Sequence, residues 1–329
     1  MRIKFAVKYT VYLCIFFLCI GKALAQDPQF SQYYASPINT NPAFAGSSNV
    51  ARGVLNYRSQ WPGISGTFNT FAASYDEHFD AIRGGIGVMV MSDEAGVGTL
   101  RSTSVSGAYA YQINITKNIT VRAGLQGGFV QKTIDFSKLQ LYDQIVRRRG
   151  FVNATRETPI QEPVLYPNFA AGFVVYSNKF YAGFASHNLF EPLQGFYETD
   201  LSAVPRRYTV HGGLVIPVVE SRNPKNASNL YPTILYMQQR EFNQLNVGVY
   251  YGQGPLVLGG YFRQNNVNAD AFIFLVGLKT SKVRVGLSYD ATISKAQYGA
   301  KQSYEVSLSF ELRKRTPRRT VRNIRCPEF

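Results

Sequence analysis

The chain is poor in cysteine, in charge and in long apolar runs. Of its three cysteines, Cys14 and Cys19 lie in the leading segment, which leaves Cys326 alone beyond it. A lone thiol cannot close an intramolecular disulfide, and thiolate metal clusters need several. Charged residues make up 17% of the 329 positions, against about 25% in a typical soluble domain. After Ile20 the longest apolar run is Ala271 to Leu278, far short of the roughly 20 residues a membrane-spanning helix requires. Histidine is scarce as well. His78, His187 and His211 have neither metal-like spacing nor a cysteine partner. The sequence contains no Gly-x-Ser-x-Gly elbow. Ser186 and His187 are adjacent, but catalytic pairs meet in space rather than in sequence. No catalytic, cofactor-binding or metal-ligating residue is therefore expected, nor any cofactor.

Aromatic and small residues are abundant, with 22 Tyr, 23 Phe and 28 Gly. The chain opens with the cations Arg2, Lys4 and Lys8, followed by the apolar stretch Val11 to Ile20 and then Ala23-Leu24-Ala25. That order is the pattern of a cleaved export signal, so residues 1–25 are expected to be removed and Gln26 to begin the mature chain. Cleavage takes away Arg2, Lys4, Lys8 and Lys22 and lowers the formal net charge from +15 to +11. A basic balance can mark a nucleic-acid binder, but an exported chain does not normally meet nucleic acid, and none is expected as a partner.

From Val50 onward the hydrophobic pattern has period two. Tyr304, Val306, Leu308, Phe310 and Leu312 alternate with Glu305, Ser307, Ser309 and Glu311. Val283, Val285, Leu287 and Tyr289 alternate in the same way with Arg284, Gly286, Ser288 and Asp290. Strands of this kind present an apolar face to lipid and a polar face to a lumen. Phe272 to Leu278 departs from the pattern, because Ile273 and Leu275 fall on the inner face; packing against a plug would explain it. About fourteen such segments can be counted, an even number suited to a closed barrel. The expected fold is an all-β, antiparallel, outer-membrane barrel over residues 50–313. With the amino terminus in the periplasm, short connections such as Ser177–Lys179 and Lys279–Lys282 fall on one side and the longest ones on the other, as in outer-membrane barrels. Pro217 to Leu230 is long where a short turn is due. Either it is a feature of that mouth, or the strand count is off by two nearby.

Two segments fall outside the barrel. Residues 26–49 carry Pro28, Pro37 and Pro42, which break regular elements, together with Phe30, Tyr33 and Tyr34, which are too apolar for a free tail. They read either as a lumen plug or as a partner-docking segment. Residues 314–329 form a basic tail. With the end of the last strand, the tail presents Arg313, Lys314, Arg315, Arg318, Arg319, Arg322 and Arg325 against Glu328 alone. Attraction to anionic outer-membrane lipid, docking on an acidic protein surface and simple solvation are the open readings. Both termini are expected in the periplasm.

The stretch QDPQFSQYYASPINTNPAFAG, Gln26 to Gly46, closely resembles the opening of the PorP/SprF family of type IX secretion outer-membrane proteins. Asp135 to Ile145, Val285 to Phe310 and the ending Cys326 to Phe329 resemble family members too. The resemblance implies a non-enzymatic component of protein secretion and gliding motility in Bacteroidota. The partners it implies are a periplasmic lipoprotein ring, a peptidoglycan-binding protein or a secreted adhesin. A passive porin for small solutes is the competing expectation.

Overall fold

A computed structural model describes residues 27–314 except residues 49, 65, 97–99, 140, 147, 157–162, 197–201, 222–226, 267 and 295–301. Fourteen strands form the wall: β1 Val50–Gln60, β2 Phe68–Phe79, β3 Gly84–Ala95, β4 Leu100–Asn114, β5 Thr120–Ile134, β6 Val164–Tyr176 and β7 Phe180–His187, followed by β8 Arg207–Leu214, β9 Ser228–Gln239, β10 Phe242–Gln253, β11 Leu256–Asn265, β12 Ala269–Lys279, β13 Val283–Thr292 and β14 Gln302–Lys314. Each strand pairs antiparallel with the next. β14 returns to β1, with Leu308 opposite Leu55, and the ring closes. Closure leaves no open sheet edge in lipid, where unpaired backbone N–H and C=O groups are costly.

The period-two pattern sets the two faces. Leu287 on β13 is 53% exposed, while its neighbour Ser288 is 5% exposed and faces inward. Outward-facing Leu55, Phe71, Val88, Val105, Leu125 and Phe274 continue the apolar band around the barrel. Ile273 and Leu275, the misfits of β12, are inside and buried in one cluster with Tyr33, Tyr34 and Tyr261. Their apolar character belongs to packing against the segment that precedes β1.

The mouths differ. Asp80–Ile82, Ser177–Lys179, Gly254–Pro255 and Thr280–Lys282 make tight turns at one end. The connections between β5 and β6 and between β7 and β8 make long loops at the other. β1 begins and β14 ends at the short-turn mouth, where Lys314 pairs with Val50. The long connection after β8 is a feature of that mouth and not a miscount. Past Val215 the strand continues as Ile216–Val219, and Ile216 pairs with Leu230 of β9. Across the opposite mouth the two long loops touch, with Phe136 edge-on to Phe196 at 6.3 Å. Within the first of them, Asp143 accepts hydrogen bonds from the Arg156 amide at 2.6 Å and the Thr155 hydroxyl at 2.9 Å. The Arg156 amide, foremost, holds the Asp143 carboxyl below its usual range.

A cation placed on the outer band at mid-strand should be costly. Leu287→Arg is expected to destabilise the barrel by about 2–4 kcal/mol, read as a lower urea midpoint in lipid vesicles. An unchanged midpoint would mean that this face does not meet hydrocarbon.

Candidate functional site: the occupied lumen

The segment before β1 runs through the barrel. Tyr33–Ala35 and Pro42–Phe44 form 3-10 turns, and Pro37–Thr40 makes one helical turn between them. Pro37 and Pro42 each stand at the start of a turn, where the missing N–H costs nothing. Phe30, Tyr33 and Tyr34, the aromatic docking candidates, are 6%, 5% and 8% exposed and pack within the barrel rather than at its surface. Of the basic candidates, Arg313 and Lys314 end β14 opposite Ala51 and Val50. Arg315, Arg318, Arg319, Arg322 and Arg325 lie outside the described residues.

Three zones hold the plug. In the first, charge meets backbone. The Glu305 carboxylate accepts the amides of Ser31 at 2.7 Å and Gln32 at 3.0 Å. The Ser31 hydroxyl donates to Asp290 at 2.6 Å. Arg58 bridges the two acids, 3.0 Å from Asp290 and 3.2 Å from Glu305. Arg263 reaches Asp290 at 3.0 Å and Asp270 at 2.5 Å. The Gln32 side chain donates to Ser288 and to the Glu305 carbonyl, and accepts from Ser307 at 2.6 Å. Arg58, Asp290 and Glu305 are all nearly water-free. Burying a charge is costly unless it is paired and hydrogen-bonded, and here two plug amides supply part of that pairing.

The second zone is aromatic. Tyr34 meets Tyr250 edge-on at 4.8 Å, and Tyr33 meets Tyr261 at 6.1 Å. Such edge contacts each contribute about 0.5–1.5 kcal/mol beyond burial.

The third zone lies toward the short-turn mouth. Buried Arg122 donates to the carbonyls of Ala43, at 3.1 Å, and Ala45. Asp76 takes the Gly46 amide at 2.8 Å while forming a two-point pair with Arg52 at 2.9 Å. The plug backbone approaches the wall so closely that a Cβ on Gly124 would collide with the Ala43 amide, and one on Gly85 with the Ala45 carbonyl.

Above the plug, toward the long loops, lies a cavity of about 630 Å³. Asp27, Pro28, Gln29 and Phe30 form part of its lining, with Trp61, Lys132, Tyr166 and Arg207 among the wall residues. Asp27 is tied there by Asn188 at 2.9 Å and by Gln239, whose side chain accepts its amide at 3.1 Å; Arg207 stands 3.6 Å away.

Sequence reasoning put Arg122, Asp290 and Glu305 on the polar faces of their strands but named none of them, nor Arg58, as a site residue. The available signal was charge at inward positions of neighbouring strands. Removing one member of the ionic zone should leave the others buried and unpaired. Glu305→Ala is expected to cost about 3–5 kcal/mol, measured as a fall in the urea midpoint of the purified barrel. A loss under about 1 kcal/mol, typical of exposed pairs, would contradict the buried network.

Among solved structures, the toluene transporter TbuX of Ralstonia pickettii is similar with a TM-score of 0.50 at 10% identity, over 85% of this chain and 94% of that one. Omp33 of Acinetobacter baumannii has a TM-score of 0.44 at 10% identity, over 80% of this chain and all of that one. At such identities the TbuX likeness speaks for the fold alone. No curated protein sequence matches the chain. The family model for the type IX secretion system membrane protein PorP/SprF matches residues 23–310. With its opening segment seated inside a closed outer-membrane barrel, the chain belongs to the PorP/SprF family of type IX secretion system membrane proteins.

Proposed function

We propose that this outer-membrane component acts as a plugged, non-enzymatic anchor for the secretion machinery rather than as a pore. The plug carries the reading. Its contacts run round the wall from Glu305 and Asp290 through Arg58, Asp76 and Arg122 to His211, Tyr250 and Tyr261. A passive solute porin needs an open lumen, whereas a docking platform needs a rigid, sealed body. In this reading the short-turn mouth faces the periplasm, as in other outer-membrane barrels, and residues 314–329 extend from it as a basic tail. Arg313, Lys314 and the tail arginines would then meet an acidic surface of a periplasmic lipoprotein ring or of a peptidoglycan-binding protein, with bidentate guanidinium–carboxylate contacts favoured over point charges. The long-loop mouth would serve a cognate surface adhesin. An export signal over residues 1–25, a role in gliding motility and a source in Bacteroidota belong to the same reading.

Two measurements bear on it. In planar bilayers the unaltered chain is expected to show no stable porin-like conductance, whereas Gly124→Leu, which places a side chain where the Ala43 backbone sits, should raise conductance. A large, steady conductance from the unaltered chain would favour the porin. Affinity purification from native outer membranes should recover secretion partners with the full chain and lose the periplasmic ones on truncation after Lys314. Recovery of no secretion partner with either form would overturn the anchoring role.

A further inference from the structure

The direction of the plug carries a consequence for the membrane topology of the chain. Asp27, the first described residue, is held by Asn188, which directly follows β7, by Arg207 at the start of β8, and by Gln239 at the end of β9. These three positions lie at the long-loop mouth. Ser31 and Gln32 then meet Asp290 and Glu305 within the barrel. Ala43 and Ala45 are held by Arg122, and Gly46 packs on Gly85, next to the tight β2–β3 turn of the other mouth. From there the chain enters β1 at the short-turn end. The plug therefore crosses the barrel from one mouth to the other and does not fold back on itself.

We infer that the leading end of the plug opens to the cell exterior, opposite the carboxyl-terminal end of β14, and that Asp27–Phe30 form part of the floor of an externally accessible vestibule. The inference rests on the proposed orientation of the mouths and departs from the expectation that both termini lie in the periplasm. It also identifies what an external partner would touch first. A molecule entering the cavity of about 630 Å³ meets the plug itself, alongside Trp61, Tyr166 and Lys132. The surface it meets combines aromatic rings with hydrogen-bonding and charged groups of both signs, which suits a polypeptide segment better than an apolar solute. The geometry further requires that an export signal over residues 1–25 be removed before the plug seats. A leader still held in the inner membrane could not stand at the outer mouth.

The test places a ten-residue epitope at one of three points: between Ala25 and Gln26, beside Tyr142 in the first long loop, or beside Ser281 in a short turn. Extended, such an epitope spans about 33 Å, too long to be hidden in the vestibule. Folded barrels are selected by their heat-modifiable migration, and antibody binding is compared on intact and permeabilised cells. If the epitope before Gln26 prevents folding, Gln29→Cys in a Cys326→Ser background is probed instead with a maleimide too large to pass porins. The inference expects the Gln26 and Tyr142 positions to be reached on intact cells and the Ser281 position only after permeabilisation. Tyr142 reached on intact cells, with the Gln26 or Gln29 position reached only after permeabilisation or not at all, would overturn the inference while leaving the orientation intact. Ser281 reached on intact cells and Tyr142 not would refute the orientation itself.

Discussion

Everything in this protein depends on closing a fourteen-strand sheet on itself. A bilayer offers no partner for an unpaired backbone N–H, so the pairing of β14 with β1 is a condition for insertion and not an embellishment. Closure at this strand number also creates an interior that side chains from the wall alone do not fill. The stretch before β1 provides the filling, and its composition follows from the task. It has prolines to stay irregular, tyrosines to cover apolar wall, and backbone amides outside any regular element to bind lumenal carboxylates.

The chemistry of the wall is correspondingly uneven. On β12, Ile273 and Leu275 turn inward to meet the plug's tyrosines. On β13 and β14, Asp290 and Glu305 turn inward to meet Ser31 and Gln32. On β3 and β5, Gly85 and Gly124 carry no side chain, which leaves room for the plug backbone. The lumen is therefore built to one occupant. The proposed anchoring role gains a physical rationale, because a plugged and internally cross-braced barrel can bear load.

The strands were readable in the sequence because lipid imposes a strict alternation. The faces of Tyr304 to Leu312 and Lys282 to Asp290 follow from the sequence alone. The turns after β6 and β12 followed from tight Ser-Asn-Lys and Thr-Ser-Lys stretches. The unusual length after β8 was visible too, although only the structure resolves it into a strand continued past Val215. The ionic zone was not readable. Arg58, Asp290 and Glu305 stand far apart in the chain and become neighbours only through the β1–β14 closure and the register of β13. Period two says that each faces the lumen, but not which height it occupies or whether a plug backbone arrives to share its charge. The path of the plug was equally hidden, since an irregular segment has no period from which to infer a direction.

The central claim is that the plug is part of the folded core and not a loosely lodged leader. Hydrogen–deuterium exchange of the reconstituted full chain tests it directly, through the amides of Ser31 and Gln32 that bind Glu305. The account predicts protection on the scale of the neighbouring β14 amides, so that these two exchange only with opening of the barrel. Exchange at the rate of an unstructured peptide, with β14 still protected, would contradict it and leave the lumen free for another occupant.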